Sequence, residues 1–405
     1  MSDQNLPDFL HTIHTAEYDY PLSNESIALY PLTERDLSKL LVFRRGHISH
    51  AGFREISDFL PEKSLMVFNN TKVIPARLHF QRETGSWIEI LITAHQLEKI
   101  NDGVVMNCDC IIGNKKKWKP DEILRIHHVE NGTELELRAS WLKRDEDRVT
   151  ITWTPQNLAF VEVLSLFGEM PIPPYLNREA DETDKTNYQT VYAKEEGAIA
   201  APTAGLHFTE SVLQSIADKG VKSTWLTLHV GLGTFRPMKS EKVAEHEMHP
   251  EEVVIPRRAI VDLVQNEGSV IAVGTTSIRS LESLYWLGTE VLVSGNFPEF
   301  LETSNPYQWS SRAFRASDVW QGLLDWMDKN NRNDLRFFTR LYIMPGYSFR
   351  VVNGLVTNFH QPKSTLLVLI SAFLGSAWKE VYDEALRENY RFLSYGDSSL
   401  LLPNG

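Results

Sequence analysis

Cysteine is nearly absent from this chain of 405 residues: Cys108 and Cys110 are the two it has. A pair this close in sequence cannot form a disulfide framework, so a fold stapled by bridges is excluded and a reducing compartment fits. Long apolar runs are missing as well. The longest, Leu366 to Leu374, is about half of the roughly 20 residues that a helix needs to span a bilayer. The opening Met-Ser-Asp-Gln-Asn has neither the basic start nor the apolar stretch of a signal peptide. These absences predict a soluble, cytoplasmic protein with no membrane partner. Positive charge is in deficit, 41 Lys and Arg against 53 Asp and Glu, for a net charge of −12. A general polyanion binder is therefore excluded, and any nucleic-acid contact must come from a local basic patch.

Familiar cofactor signatures are missing too. Gly231-Leu-Gly233 lacks the third glycine of a dinucleotide fingerprint, and no Walker loop occurs. His246-Glu-Met-His249 sets its histidines three apart, one short of the zinc-protease spacing. Cys108-x-Cys110 has no further cysteines to complete a metal set, so no metal site is expected. There is no internal repeat and no low-complexity tract.

What remains is an ordinary globular composition, 42% hydrophobic and 23% charged, which rules out disordered and fibrous classes. The length suggests two or three domains, enough to bury a large core. Trp87–Ile92, Val104–Ile112, Ile123–Val129, Glu134–Arg138 and Arg148–Trp153 are short β-rich runs separated by turn-forming or charged residues such as Asn101-Asp-Gly103 and Asn131-Gly132. That spacing predicts a small all-β barrel or sandwich over about residues 77–155. It is inserted into a discontinuous α/β domain formed by residues 1–76 and 156–405.

Within that domain, Leu65–Phe68 and Val270–Val273 read as buried strands, and Thr224–His229 as a further strand. Thr209 caps a helix over Glu210–Lys219 that Gly220 ends. Pro256 opens another helix, and a third runs from Ile278 to a stop at Gly288. Residues 289–336 are less regular and read as an embellishment. Asn353-Gly354 signals a hairpin between Phe349–Val352 and Leu355–Phe359. Strands alternating with helices predict a layered α/β fold on a mixed sheet.

Three strand exits carry candidate chemistry. Val270-Ile-Ala-Val-Gly-Thr-Thr-Ser-Ile-Arg279 runs a strand into a helix start, whose free N–H groups and hydroxyls suit a carboxylate or other anion. Arg279, one turn on, is able to hold a carboxylate with two bonds; capping by Thr276 or Ser277 is the alternative reading of that turn. Leu228–Phe235 and Thr357–Thr365 are the other two exits. The small-residue segment Ala200–Phe208 allows close backbone approach to a ligand, although His207 alone is more in keeping with a structural histidine. Ligands gather at strand ends in open α/β sheets, so the exits together point to one pocket.

At this level of detail the chain resembles a known family. The blocks are Val67–Leu78, Gly168-Glu-Met-Pro-Ile-Pro-Pro-Tyr175, Tyr188–Lys194, Gly197–Phe208, Thr227–Phe235, Gly274–Glu282, Pro345–Tyr347, Thr357–His360, Lys363–Leu366 and Tyr390–Asp397. In this order, from about Tyr18 to Leu402, they resemble the S-adenosylmethionine:tRNA ribosyltransferase-isomerases of queuosine biosynthesis. The resemblance implies a mixed α/β domain with an inserted β-barrel. It also implies transfer and isomerisation of the ribosyl group of S-adenosylmethionine onto 7-aminomethyl-7-deazaguanine at the wobble position of tRNAs with a GUN anticodon. The products would be epoxyqueuosine, adenine and methionine. S-adenosylmethionine is then a co-substrate with no prosthetic group needed, and a monomer is expected.

The resemblance marks positions and the chemistry of the reaction suggests roles for them: a base beside the sulfonium and an acid for departing adenine make His207, His229 and His360 the acid/base candidates, with Asp397 as an orienting or acid/base carboxylate. Asn69, Thr71, Arg77, Thr203, Asn358 and Lys363 become substrate-binding candidates. Thr275, Thr276 and Arg279 become the methionine-carboxylate site, and Tyr175, Phe208 and Phe235 stacking residues for a purine or a flipped deazaguanine. For the tRNA, the densest basic run is Lys115-Lys116-Lys117-Trp118-Lys119, where lysines would meet phosphates and Trp118 a splayed base; the alternative is a solvated tip with Trp118 folded onto the barrel. The sequence departs from the family pattern at Arg340, Gln361 and Ser398-Ser399 and is longer around residues 289–335. These departures leave two alternatives: a paralogue acting on another S-adenosylmethionine-dependent substrate, and a non-catalytic RNA-binding protein on the same fold.

Overall fold

The computed structural model describes residues 6–100, 103–130, 132–231 and 237–404. It divides into two compact units, Met1–Lys72 with Gln189–Glu195 and Ala201–Gly405, and Val73–Tyr188 with Glu196–Ala200.

The larger unit is α/β. Its described residues form a ten-stranded mixed sheet in the spatial order Phe300–Leu301, Asp334–Thr339, Glu251–Pro256, Lys222–Leu228, Leu65–Asn69, Val270–Val273, Gly354–Asn358, Ser398–Leu402, Lys39–Arg44, His47–Gly52. The four strands at its centre, Lys222–Leu228, Leu65–Asn69, Val270–Val273 and Gly354–Asn358, are mutually parallel. Leu65–Asn69, Val270–Val273 and Gly354–Asn358 are buried along their whole length, as strands covered on both faces must be. Because the four run in one direction, Leu228, Asn69, Val273 and Asn358 all end at the same edge of the sheet.

The predicted start and stop signals hold for the Glu210–Asp218 helix. Thr209 Oγ1 accepts the Val212 N–H at 3.3 Å, and Gly220 takes φ +76° just past the end. Val212 and Ile216 pack it into a core cluster with Phe68, Phe208, Ile271, Val273 and Val356. Two other expectations are corrected. The Thr275–Ser294 helix does not stop at Gly288; it ends at Gly295, which has φ +76°. Gly288 is a packing contact, where a Cβ would lie 2.5 Å from Val319 Cγ1 and 2.9 Å from Leu323 Cδ1 of the neighbouring Ala316–Lys329 helix. Residues 289–336 accordingly hold the end of the long helix, the Phe300–Leu301 strand, the Asn305–Gln308 and Ala316–Lys329 helices and the start of the Asp334–Thr339 strand.

Asn353-Gly354 is not a hairpin. Asn353 brackets Val270, its N–H donating to the Val270 carbonyl and its Oδ1 accepting the Val270 N–H, both at 2.9 Å. The preceding loop is held by Glu282, a fully buried carboxylate on the long helix. It accepts the backbone N–H groups of Arg350, Val351 and Val352 at 2.9, 3.0 and 3.1 Å and the Tyr347 hydroxyl at 2.9 Å. Burial raises its pKa and these bonds pull it back. Glu282 thereby fixes where the Gly354–Asn358 strand begins. Among the described residues no single helix is long and apolar enough to cross a membrane, although Thr365–Leu374 and Ala377–Arg387 together pass by length and composition, bent by 115°.

The smaller unit is a nearly closed antiparallel barrel of six described strands, ordered Arg77–Gln81, Trp87–Ile100, Gly103–Gly113, Arg148–Thr154, Thr133–Lys143, Leu124–Glu130. Leu135, Leu137 and Ala139, and likewise Val149, Ile151 and Trp153, alternate inward with a period of two. Trp118 completes this interior. It is 0% exposed, stacks on Trp141 with ring centroids 4.0 Å apart and planes 30° apart, and donates Nε1–H to the Glu122 carbonyl at 2.9 Å.

Candidate functional site

The common edge of the four parallel strands gathers the polar residues that follow each strand. Asn69 ties three of these exits together. Its Oδ1 accepts the N–H groups of Leu228 and Thr71 at 3.0 and 3.2 Å, and its Nδ2 donates to the Leu228 carbonyl at 3.0 Å and to Thr276 Oγ1 at 3.4 Å. Asn69 is fully buried by this work, so it holds the edge together.

At the Val273 exit, Gly274 takes φ +87° and turns the chain straight into the 20-residue helix. Among the described residues no side chain caps that helix. Ser277 Oγ donates back to the Val273 carbonyl at 2.7 Å, and Thr276 Oγ1 is engaged with Asn69, so the capping alternative fails. The positive end of the helix dipole is left facing a recess of about 370 Å³, counting the solvent at its mouth. Thr203, Thr275, Thr276, Asn358 and His360 line it, with Leu366 on one side.

Two histidines at this edge are locked. Asn358 Nδ2 donates both to the Leu393 carbonyl at 3.2 Å and to His207 Nε2 at 3.0 Å. The carbonyl fixes the orientation of the amide, so Nε2 is the unprotonated nitrogen and Nδ1–H donates to Ser38 Oγ at 2.9 Å. Burial, reinforced by Arg391 and Arg35, depresses the His207 pKa to about 3. His207 is therefore neutral with both nitrogens engaged, and it orients Asn358 instead of shuttling protons. The Oδ1 of Asn358 is buried and, among the described residues, has no hydrogen-bond partner. His360 is also buried, its pKa brought down to about 3, and its Nε2 sits 2.9 Å from Thr357 Oγ1. His229 differs: it is only partly buried at the Leu228 exit, with Nδ1 3.0 Å from Thr71 Oγ1.

Arg279 does not share the recess of Thr275 and Thr276. It is 5% exposed, ion-paired through Nη1 with the Glu251 carboxylate, and donates Nε–H to the Leu341 carbonyl at 3.0 Å. It opens into a second recess of about 590 Å³, counting the solvent at its mouth, together with Glu251, His246, His249 and an apolar wall that includes Met248 and Leu369. Leu366 lines both recesses. Glu251, His246 and His249 were missed by sequence reasoning. A glutamate in a strand has no motif, and the two histidines were weighed only as metal ligands. Among the described residues no group of three or more His, Cys, Asp or Glu is arranged to hold a metal.

Other candidates lie elsewhere. Asp397 accepts the backbone N–H groups of Lys39 at 3.0 Å and Arg391 at 2.8 Å, which makes it a turn anchor outside both recesses. Phe208 is 0% exposed between Phe53 and Phe68, so it is core and has no face for a purine. Lys363 pairs with Asp19 at 2.6 Å on the surface. In the smaller unit, Arg77 pairs with Glu89 at 3.2 Å and Tyr175 is partly buried. Lys115 pairs with Asp147, while Lys116, Lys117 and Lys119 are exposed. Trp118 cannot stack a base while it fills the barrel. Phe235 lies outside the described residues.

Comparison with known proteins gives a consistent result. Residues 15–401 match the family described as Queuosine biosynthesis protein. The S-adenosylmethionine:tRNA ribosyltransferase-isomerase of Legionella pneumophila (strain Lens) is 38% identical over 392 residues, 95% of this chain and 99% of that protein. The protein of the same name from Aquifex aeolicus is 35% identical over 400 residues, again 95% of this chain and 99% of that protein. A crystal structure of S-adenosylmethionine tRNA ribosyltransferase from Thermotoga maritima is 27% identical, covers 95% of this chain and 100% of its own, and has a TM-score of 0.47.

Proposed function

The chain belongs to the queuosine biosynthesis protein family and is a ribosyltransferase-isomerase; from this we propose that it moves the ribosyl group of S-adenosylmethionine onto 7-aminomethyl-7-deazaguanine in tRNA. The ribosyl group is isomerised on transfer to give epoxyqueuosine at the wobble position of GUN anticodons, and adenine and methionine leave. The protein works as a cytoplasmic monomer without a prosthetic group.

The observation that carries this reading is the convergence of four parallel strand ends on one polar edge, beside an uncapped helix N-terminus. The reaction needs a proton removed from the carbon beside the sulfonium and negative charge accommodated as adenine departs. Proton transfer is most efficient from a group whose pKa lies near the working pH. That argues against the two buried histidines, whose pKa values are near 3; the proton carrier is then His229, chosen for its place at the Leu228 exit, where it is partly accessible beside Thr71. Thr203, Thr275, Thr276, Asn358 and neutral His360 then supply hydrogen bonds around the ribosyl group, and the helix N-terminus favours developing negative charge. Lys116, Lys117 and Lys119 are proposed to neutralise tRNA phosphates.

The test is incubation with S-adenosylmethionine and tRNA carrying the aminomethyl-deazaguanine, with adenine followed by chromatography. Adenine release that depends on the modified tRNA is expected. Tight tRNA binding with no adenine under any condition would replace this reading with a non-catalytic RNA-binding protein.

A further inference from the structure

We propose that Arg279 and Glu251 form a clamp for a zwitterionic α-amino acid group, and that the recess they line takes the methionyl end of S-adenosylmethionine. This rests on the reading of S-adenosylmethionine as the substrate.

The first observation is an unfinished buried ion pair. Arg279 and Glu251 are 5% and 7% exposed, and their charges meet through Arg279 Nη1. Arg279 Nε is used by the Leu341 carbonyl, but Nη2 is buried and, among the described residues, has no partner. A guanidinium donor left unpaired in a dry site is costly, and it is a ready position for a carboxylate. Glu251 accepts the Gly231 N–H through Oε1 at 3.4 Å, and a carboxylate has lone pairs enough to take an ammonium as well.

The second observation is the balance of charge. A free anion such as phosphate would gain from Arg279 and be repelled by Glu251; a simple cation would meet the reverse. A ligand carrying both signs on adjacent atoms satisfies both groups, and an α-ammonium with an α-carboxylate is such a ligand. Beside His246 and His249, the wall offers Met248, Pro250, Ile343, Leu366 and Leu369, apolar residues that fit the two methylenes between the α-carbon and the sulfonium.

The third observation is position. Arg279 follows Thr275 by four residues on the same helix, about 6 Å along its axis and on the same side. Leu366 borders both recesses. An amino-acid end held by Arg279 and Glu251 would place its sulfonium, two methylenes away, toward Thr275 and the first recess. Binding energy from the non-reacting methionyl end would then position the ribosyl carbon.

Titration calorimetry on the whole protein, with three ligands, tests this. The ligands are S-adenosylmethionine, its decarboxylated form, and the analogue with a hydroxyl in place of the α-amino group. The unaltered protein is expected to bind S-adenosylmethionine at least about tenfold more tightly than either analogue, the weaker end of what a charged hydrogen bond supplies. Arg279→Gln should lose the preference over the decarboxylated compound, and Glu251→Gln the preference over the hydroxy analogue. If all three ligands bind the unaltered protein equally, the clamp is wrong while the substrate reading stands; that comparison needs no variant to fold. If the preferences persist in both folded variants, the amino acid end is held elsewhere and the clamp is again wrong. If neither S-adenosylmethionine nor the analogues bind, with or without tRNA, the substrate reading itself falls.

Discussion

Replacing His207 with glutamine makes the locked histidine measurable as acid sensitivity. His207 and His360 each have a folded-state pKa near 3 against an ordinary 6.5, chiefly because burial penalises the charged ring. Between those values the unfolded chain takes up protons that the folded protein refuses, so stability is full above about pH 6.5 and falls as the pH drops below it. At one pKa unit per 1.36 kcal/mol, each histidine costs about 1.4 kcal/mol at pH 5.5, or roughly 3 kcal/mol for the two. His207→Gln will also lose stability at every pH through its broken bonds to Ser38 and Asn358, but it removes one of the two linkages. Urea unfolding of both proteins at pH 7.5 and 5.5 separates the effects. The gap between parent and variant should shrink by about 1.4 kcal/mol on going to pH 5.5, because the variant no longer refuses that proton. A gap that stays constant, or a His207 NMR signal that titrates between pH 5 and 8, would refute the neutral, doubly bonded state.

Glu282→Ala should cost at least about 3 kcal/mol in urea unfolding, since it strands three backbone N–H groups, two of them buried, that have no other acceptor among the described residues. In the smaller unit, Trp118→Ala should cost about 3–5 kcal/mol as a core truncation beside Trp141, with the loss read by thermal melting. The triple change Lys116→Ala, Lys117→Ala and Lys119→Ala should leave stability within about 0.5 kcal/mol for exposed positions. It should weaken tRNA binding and flatten its salt dependence by up to about one log–log unit per lost phosphate contact. An unchanged salt slope in filter binding would put the tRNA elsewhere.

The class of the fold was legible because its signals are local. The all-apolar Val270–Val273 run, the Thr209 cap with Gly220, and the period-two barrel strands depend on near neighbours. What misled was glycine and asparagine read as punctuation. Gly288 is small because the Ala316–Lys329 helix presses on it, and Asn353 is polar because it bonds to Val270; both causes are distant in sequence. The site followed the same division. The strand exits do meet at one edge of the sheet, since parallel strands deliver their C-terminal residues to one side, although they line two recesses and not the one pocket expected. They could not distinguish Phe208 in the core from a stacking ring, or separate Arg279 from Thr275, because those differences lie in which cavity a side chain enters. Glu251 carried no signal at all. Its significance appears only when its strand is laid beside the long helix.

The most direct measurement follows the fate of two labels. S-adenosylmethionine carrying one isotope in its ribose and another in its methyl group is incubated with the protein and the precursor tRNA, and the tRNA is then isolated and digested. Ribosyl transfer predicts that the ribose label enters the modified nucleoside while the methyl label leaves in free methionine. Methyl label in the tRNA, or release of the ribose label with adenine still attached, would contradict the account.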